Sequence, residues 1–269
     1  MPACSEDKVL YLFCFARPGL EMTSTPPGVD DRAPVFIHPS RSVAAVVCEL
    51  RRDEFCSPDA RLGELAWIGP RACRHEGVVE AVMKHSPVLP ARFGTLFSSP
   101  DSLHRFMNQH AANITEFLDR VTGQQEWALK GSLDKRRAER VVLQEELSVR
   151  SSHLSTLSPG KLYLERQRIQ REVNRKLHHS LQQHCDQLSR KLGRYASAFV
   201  PRKLLLSAPE ENEPIVIFNW AFLLPNNAIS NFCARVKLAG AEQLELGLTL
   251  HLSGPWPPYS FVPCLPQEA

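Results

Sequence analysis

Hydrophobic positions in the first half of the chain switch between the two-residue spacing of strands and the 3.6-residue spacing of helices. Short apolar runs rich in β-branched and aromatic residues predict strands, and these lie at Lys8–Ala16, Val35–His38 and Val43–Leu50. Helical spacing then covers residues 62–85. The Gly69-Pro70 pair predicts an interruption of that helix.

Proline positions predict an extended segment over residues 88–97. Either Ser99 or Asp101 is then placed to cap a helix over residues 103–121. Gly123 is the residue type that ends such a helix.

The second half of the chain alternates strands and helices in a different order. Its predicted strands lie at Trp127–Leu133, Phe199–Ser207, Ile215–Leu223 and Leu244–Leu252. Its predicted helices cover residues 134–150, 161–195 and 226–239, with a serine-rich break at 151–160 and a stop at Gly240. When the first two helical segments are counted as one crossover, the order is the β-α-β-β-α-β order of a ferredoxin-like unit.

The long helix predicted over residues 161–195 is amphipathic and basic. Apolar residues recur along it every three or four positions, and they are Ile169, Val173, Leu177, Leu181, Cys185, Leu188, Leu192 and Tyr195. The other side carries Arg168, Arg171, Arg175 and Lys176. This pattern predicts a buried apolar stripe and solvated cations.

Together the two halves predict an α+β protein of two domains. Residues 1–122 form an N-terminal α+β domain. Residues 123–269 form a C-terminal ferredoxin-like domain with the long amphipathic basic helix and a tail rich in proline and aromatic residues. Helices are expected to cover one face of each antiparallel sheet.

Composition is typical of a globular protein of the reducing cytoplasm. Of 269 residues, 43% are hydrophobic and 23% are charged, so the chain can bury a large core without disulfides. Its eight cysteines are scattered, which favours reduced thiols. The longest apolar runs fall far short of the ~20 residues of a spanning helix. We therefore expect a cytoplasmic protein that does not enter the membrane.

Positive charge is concentrated in one region of the second half. The net charge of the chain is +3, yet residues 130–205 carry 17 Lys and Arg against 7 Asp and Glu. Such a region attracts nucleic acid, a membrane or an acidic protein surface, and a solvated helix face is the plain alternative. Tyr163 is almost the only aromatic residue among these cations, and single-strand binders need a stacking platform. No specific nucleic-acid binding is therefore expected.

No common catalytic signature occurs in the sequence, since the nucleophile, nucleotide and zinc-protease motifs are absent. The segment His178–Cys185 holds three histidines and a cysteine but lacks the paired spacing of a zinc site. Cys73 and His75 are two residues apart on a predicted helix, so they do not face each other as a nucleophile and its base would. We expect a protein without enzymatic activity, metal or cofactor.

Two motifs combine glycine or proline with aromatic residues. The first is LPARFGTLF, which contains Arg92, Phe93 and Gly94. The second is GPWPPYSF, which contains Trp256, Pro257, Pro258 and Tyr259. Because prolines fix the backbone around its two rings, the second motif suits either a clamp that packs against a sheet or a rigid anchor for a partner.

These motifs, with HEGVVEAVM before the first, LYLFCFA at residues 10–16 and the long basic helix, resemble the gas vesicle protein F/L family, also written GvpL/GvpF. The resemblance covers nearly the whole chain and does not separate the F branch from the L branch. It implies a non-enzymatic accessory protein for building gas vesicles, the gas-filled flotation compartments of some prokaryotes. It also implies two α+β domains, the second of them ferredoxin-like.

The resemblance implies binding to the gas vesicle shell protein and to other gas vesicle accessory proteins, in association with the vesicle. A shell subunit with a water-excluding face aggregates unless a partner covers that face. One alternative is a minor structural component of the mature vesicle. Another, from a different class, is a nucleic-acid-binding regulator that uses the basic helix. The family has no established catalytic residue, so its motif positions can be purely structural.

Overall fold

The computed structural model describes residues 8–22, 24, 26–52, 65–154, 158–204 and 213–265. The chain divides into two compact units. Residues up to 126 and from 255 onward form the first unit, and residues 127–254 form the second. The tail was predicted to belong to the second domain, whereas residues 259–261 are hydrogen-bonded to groups of the first unit.

The first unit contains a five-stranded antiparallel sheet and two long helices in the part of the chain described. Its strands are β1 (Lys8–Ala16), β2 (Val35–Pro39), β3 (Ala44–Arg51), β4 (Val88–Pro90) and β5 (Leu96–Phe97). Its helices are α1 (Leu65–Met83) and α2 (Pro100–Val121). The strand order is β2-β3-β1-β4, and β5 also pairs with β1.

Strand β1 is central in this sheet and is buried on both faces. Its register with β3 shifts between Leu12 and Cys14, so Phe13 and Cys14 both join the core cluster that packs against α1. Phe15 points to the other face, where its ring stacks on Phe106 of α2 with centroids 5.9 Å apart. Helices therefore cover both faces of this sheet, and the expectation of a single covered face is wrong for this unit.

Helix α1 continues through Pro70, where the sequence predicted an interruption. Pro70 lies in the second turn of the described helix and removes the hydrogen bond to the carbonyl of Ala66. The buried stripe of Val78, Val79 and Val82 holds the following turns on the sheet. Tertiary packing of that stripe outweighs the local cost of the proline.

Of the two N-caps that the sequence allowed for helix α2, Ser99 is the one used, and Asp101 lies in the first turn. The Oγ of Ser99 accepts from the N–H of Ser102 at 3.1 Å, and the Oγ of Ser102 accepts from the N–H of Ser99 at 3.1 Å. This reciprocal capping box starts the helix at Pro100, three residues before the predicted start. Gly123 follows the helix with φ of 70°.

The second unit contains a four-stranded antiparallel sheet in the order β7-β8-β6-β9. Its strands are β6 (Gln124–Leu133), β7 (Ala198–Pro201), β8 (Ile215–Pro225) and β9 (Leu248–Trp256). Its helices are α3 (Lys135–Leu154), α4 (Pro159–Gly193) and α5 (Ile229–Gln243). The prediction that the four strands of the second half pair in one sheet is confirmed.

Helix α4 buries most of the apolar stripe that the sequence predicted. Its buried residues are Ile169, Val173, Leu177, Leu188 and Leu192. Leu181 packs against the same core but is only partly buried, so it is more exposed than Val173, Leu177 and Leu188. The core of the second unit also includes the edge-on aromatic pairing of Tyr195 with Phe232.

The last helix and strand are shifted from their predicted positions. Helix α5 continues past Gly240 to Gln243, and the chain turns instead at Gly247, whose φ is 74°. Strand β9 therefore begins at Leu248 and extends to Trp256. The predicted strand end at Ser207 lies outside the described residues.

Candidate functional site

Segments that carry the family resemblance meet in the first unit around one buried histidine. They are β1, the HEGVVEAVM segment of α1, the turn after β4 and the tail. We call the polar groups that join them the His75 network, which consists of Tyr11, His75, Glu76, Ala91, Gly94 and Tyr259.

The RFGT segment forms a tight turn that directs backbone groups into this network. The N–H of Thr95 donates to the carbonyl of Arg92 at 3.1 Å. Gly94 has φ of 85°, as the third residue of a type II turn requires. The turn divides the predicted extended segment into β4 and β5. It also presents the N–H of Gly94 to the Oη of Tyr11 at 3.3 Å.

His75 lies on the apolar face of α1 and is 3% exposed. Its Nδ1 is 2.9 Å from the Oη of Tyr11. Its Nε2 is 3.2 Å from the carbonyl oxygen of Ala91 and 3.1 Å from the Oη of Tyr259. The imidazole also stacks on the ring of Phe13 with centroids 5.5 Å apart.

The partners of His75 assign its tautomer. The carbonyl of Ala91 can only accept, so Nε2 carries the hydrogen and donates toward Ala91 and Tyr259. Nδ1 is then the acceptor, and the hydroxyl of Tyr11 donates to it. The oxygen of Tyr11 in turn accepts from the N–H of Gly94. The network is therefore satisfied when the imidazole is neutral.

Consecutive residues of the tail are held by side chains of the first unit. The hydroxyl of Tyr259 is hydrogen-bonded to the carboxylate of Glu76. Glu126, which is 1% exposed, accepts from the N–H of Ser260 at 3.0 Å and from its Oγ at 2.8 Å. The guanidinium of Arg120 donates to the carbonyl of Phe261 at 2.7 Å. These bonds tie the tail to α1, α2 and the start of β6.

Burial sets the protonation states in the His75 network. Desolvation lowers the pKa of His75 to about 4, and the hydrogen bond to Ala91 opposes this effect. Desolvation raises the pKa of Tyr11 and of Tyr259 above the usual value of a phenol. Desolvation also raises the pKa of Glu76, and the hydrogen bond from Tyr259 opposes it. At neutral pH the network contains a neutral imidazole and two neutral phenols.

The geometry of the His75 network suits structural support. A general base needs a pKa near the working pH and access to the proton it removes. His75 has both nitrogens engaged, is buried and titrates far below neutral pH. Over the described ranges, no group of three or more His, Cys, Asp or Glu residues is arranged to hold a metal ion.

None of the helices in the described part of the chain has the length and apolar character needed to cross a bilayer.

The residues singled out in the first motif occupy different environments. Phe93 packs against the first-unit core, with its ring centroid 6.1 Å from that of Tyr11 and 6.0 Å from that of His75. The side chain of Arg92 is exposed, and its carbonyl closes the turn. Gly94 supplies the backbone conformation.

The residues singled out in the second motif also differ in burial and in hydrogen bonding. Pro257 and Pro258 are buried, and Tyr259 belongs to the His75 network. Trp256 remains 38% exposed. The two rings that the sequence treated as one unit are therefore in different surroundings. Tyr259 has the position of a clamp, and Trp256 has the exposure that an anchor needs.

Sequence reasoning missed the groups to which these motifs bind. It considered His75 only as a base for Cys73, and it did not single out Tyr11, Glu76 or Glu126. One signal for His75 was available, because it continues the helical spacing of the buried valines and a buried polar group needs partners. No local pattern marks Glu126, since its partner Ser260 is 134 residues away in sequence.

In the second unit, the cations predicted to be solvated on the long helix are all exposed. Arg168 pairs with Glu172 at 3.4 Å, and Lys176 pairs with Glu146 of α3. Arg171 and Arg175 form no ion pair with a residue that the structure describes. Of these four cations, Arg168 and Lys176 are therefore paired with described carboxylates, and Arg171 and Arg175 are exposed to solvent.

Another set of charges joins α3 to α4 through Arg150. Its guanidinium is 2.6 Å from Glu172, 3.2 Å from Glu146 and 3.6 Å from Glu165. The hydrogen bond from Arg150 holds the pKa of Glu172 below its usual value. These pairs satisfy the carboxylates nearest to the helix contact.

A groove of about 730 Å³ follows the exposed side of α4. Its described lining residues are Tyr163, Leu164, Gln167, Arg168, Arg171, Glu172 and Arg175. We call this surface the α4 groove. Tyr163 and Leu164 are 63% and 68% exposed, so the groove combines an apolar end with a cationic remainder.

The chain matches a family model over nearly its whole length. That model, described as gas vesicle synthesis protein GvpL/GvpF, matches residues 9–263. The chain belongs to the GvpL/GvpF family, and its role is related to gas vesicles. A curated relative, gas vesicle protein L of a Streptomyces species, is 26% identical over 264 residues, which cover 96% of this chain and 94% of the relative.

Two crystal structures of GvpF have a similar fold. The structure of GvpF from Anabaena sp. PCC7120 has a TM-score of 0.70 and covers 97% of this chain and 99% of its own. The structure of GvpF from Microcystis aeruginosa has a TM-score of 0.67, and the match covers 95% of this chain and 99% of that GvpF chain. Both are 17% identical to this chain. The predicted α+β class is confirmed.

Proposed function

We propose that this protein is an accessory protein of gas vesicle assembly that binds the gas vesicle shell protein and keeps its subunits dispersed until they assemble. The proposal includes binding to other gas vesicle accessory proteins, and a cytoplasmic location at the forming vesicle. The protein acts by binding and needs neither catalysis nor a cofactor. The observation that carries this proposal is the family match over residues 9–263.

The physical need for such a partner follows from the chemistry of a gas-filled shell. A subunit that excludes water on one face exposes an apolar patch before it is built in, and such patches drive aggregation. A partner that covers the patch reversibly lowers the concentration of exposed subunits. Reversible cover requires an accessible surface, which the buried His75 network does not offer.

Several exposed features of the described residues support a binding role. Edge strands β2 and β7 carry the partly exposed rings of Phe36 and Phe199, and an edge strand can accept a strand from a partner. Trp256 is held between prolines and keeps part of its ring in solvent. Arg168, Arg171, Arg175 and Lys176 can steer acidic groups toward the second unit.

We also keep the ferredoxin-like assignment of the second unit as part of the proposal. The order β7-β8-β6-β9 places the first and third strands of the unit in the middle. That arrangement supports a split β-α-β topology with one helical crossover after β6 and another after β8.

Co-expression of the gas vesicle shell subunit with and without this protein tests the proposed function. We expect the shell subunit to shift from the pellet to the supernatant when this protein is present. We also expect an affinity tag on this protein to recover the subunit. A variant of the shell subunit truncated at its apolar face is the matched control, and it should be recovered less.

Equal sedimentation of the shell subunit in both cultures, with no recovered complex, would contradict the solubilising role. Stable retention of this protein in purified vesicles would favour a structural component of the mature vesicle. Recovery of nucleic acid at physiological salt, in place of the shell subunit, would favour the regulator.

A further inference from the structure

We propose that the α4 groove is a docking site for an acidic amphipathic helix of a partner protein. The inference rests on the proposed function, because it assigns part of the partner recognition to this surface. It goes beyond that function by naming the kind of segment that binds and the residues that receive it.

The described lining residues of the groove all lie on α4, and four of them form a stripe along it. Tyr163, Gln167, Arg171 and Arg175 follow one another at four-residue spacing along α4. Four residues of helix rise about 6 Å, so the stripe is about 18 Å long. A partner helix of about three turns matches that length.

The charges of the groove select an acidic partner. Glu172 is occupied by Arg150 and Arg168, so it contributes little negative charge to solvent. Arg171 and Arg175 have no ion pair with any described residue. Two exposed guanidinium groups one turn apart, neither of them paired with a described carboxylate, match carboxylates that are one turn apart on another helix.

The apolar end of the groove distinguishes a protein partner from a nucleic acid. Tyr163 and Leu164 are adjacent and mostly exposed, and the leucine offers no stacking or hydrogen-bonding group to a base. A partner helix can bury apolar side chains on both of them. A nucleic acid would use the arginines and the tyrosine ring but would leave Leu164 exposed.

The test titrates the full chain with a fluorescein-labelled helical peptide of about 16 residues. The peptide carries glutamate at every fourth position and leucine at the end that faces Tyr163. The matched control variant is Arg136→Glu with Arg140→Glu on α3. It changes the charge equally, at the same four-residue spacing, and both arginines are exposed.

We expect Arg171→Glu with Arg175→Glu to weaken peptide binding by about tenfold or more. The α3 control should change it by less than about twofold. The double variant Tyr163→Ala with Leu164→Ala should weaken binding without changing its salt dependence. A peptide with lysine in place of glutamate should not bind.

Equal loss in the α3 control and the α4 variant would overturn the inference, since general charge would then explain binding. A DNA duplex that binds more tightly than the peptide, and is released by the same α4 substitutions, would overturn it in favour of a nucleic-acid surface.

Pull-down of the shell subunit separates this inference from the proposed function. If the wild-type protein recovers the shell subunit and the α4 variant recovers it equally, the groove assignment is wrong while the function stands. If the wild-type protein recovers no shell subunit yet binds the acidic peptide through α4, the proposed function is wrong while the groove assignment stands.

Discussion

The His75 network of the first unit and the α4 groove of the second unit are both polar clusters placed by helices, yet they differ in what their groups contact. In the His75 network, the side chains of Tyr11, His75 and Tyr259 each have a hydrogen-bond partner within the first unit, and His75 is 3% exposed. In the groove, two arginines have no ionic partner among the described residues. A satisfied buried cluster supports the fold, whereas an unsatisfied exposed cluster is available to another molecule.

This difference gives the two regions opposite signatures in mutagenesis. Removing a buried group leaves its partners without hydrogen bonds, which costs stability. Removing an exposed, unpaired charge costs little stability. Stability and partner binding are therefore expected to respond to different residues of this protein.

The largest expected effect is that of His75→Ala. The substitution leaves the hydroxyl hydrogen of Tyr11 without its acceptor and the carbonyl of Ala91 without the donor from His75. It also opens a cavity, so we expect a loss of about 3–5 kcal/mol in unfolding free energy. Urea denaturation followed by circular dichroism measures it. Cys73→Ala, two residues away and exposed on the same helix, is the control and should change stability by less than about 0.5 kcal/mol. Equal effects would mean that the network does not hold the unit together.

The pH dependence of stability should follow from the low pKa of His75. The unfolded chain takes up this proton near pH 6.5 and the folded protein near pH 4, so the unfolded state binds more protons in that window. The contribution of the neutral His75 imidazole to the unfolding free energy is therefore fully present above pH 6.5, and it is lost as the pH falls toward 4. The loss amounts to about 3 kcal/mol.

Glu76 changes the unfolding free energy in the opposite direction. Because its pKa is raised in the folded protein, its contribution to stability increases as the pH falls and the carboxyl becomes protonated. The quantity to compare is therefore the difference between the wild type and His75→Gln, measured by urea denaturation across this range. Parallel stability curves for the two proteins would show that His75 does not titrate as the structure requires.

The substitution Gly94→Ala should have a smaller effect. Gly94 has φ of 85°, and a side chain in this region costs about 1–2 kcal/mol. Apart from the glycine itself and its two chain neighbours, no heavy atom of the described residues lies within 4 Å of the added Cβ, so the expected loss comes from backbone strain. Gly77→Ala in α1 is the matched control with equally open space. Gly77→Ala should raise the unfolding free energy by about 0.5–1 kcal/mol. The melting temperature should therefore fall for Gly94→Ala and rise for Gly77→Ala.

The smallest expected effect on stability is that of Arg171→Glu with Arg175→Glu. Both arginines are exposed and lack a described ionic partner, so unfolding free energy should change by less than about 0.5 kcal/mol. A loss above about 2 kcal/mol would indicate that these residues support the fold, and it would remove the contrast between the two regions.

Features that depend on neighbours in the chain could be predicted from the sequence. The apolar stripe of α4, the cap of α2 at Ser99 and the pairing of four strands in the second unit all follow from short-range patterns. The observed helices differ from the predicted ones where the helix continues through a residue that usually ends it. Helix α1 continues through Pro70, and helix α5 continues past Gly240.

The candidate sites could be predicted only in part, because the His75 network joins distant segments. His75 and Tyr259 are 184 residues apart in sequence, and no spacing rule connects them. The motifs identified the turn at Gly94 and the tail at Tyr259, but the histidine that joins them requires the fold. The exposed cations of α4 were predictable, since helical periodicity separates them from the buried stripe.

The central claim is that one region supports the fold and the other receives a partner. The most direct test is the recovery of the gas vesicle shell subunit by Tyr259→Phe, compared with recovery by Arg171→Glu with Arg175→Glu, at a temperature where both proteins are folded. We expect Tyr259→Phe to retain wild-type recovery despite lower stability, and the arginine variant to lose recovery by about tenfold at unchanged stability. Loss of recovery in Tyr259→Phe, with full recovery in the arginine variant, would contradict the account.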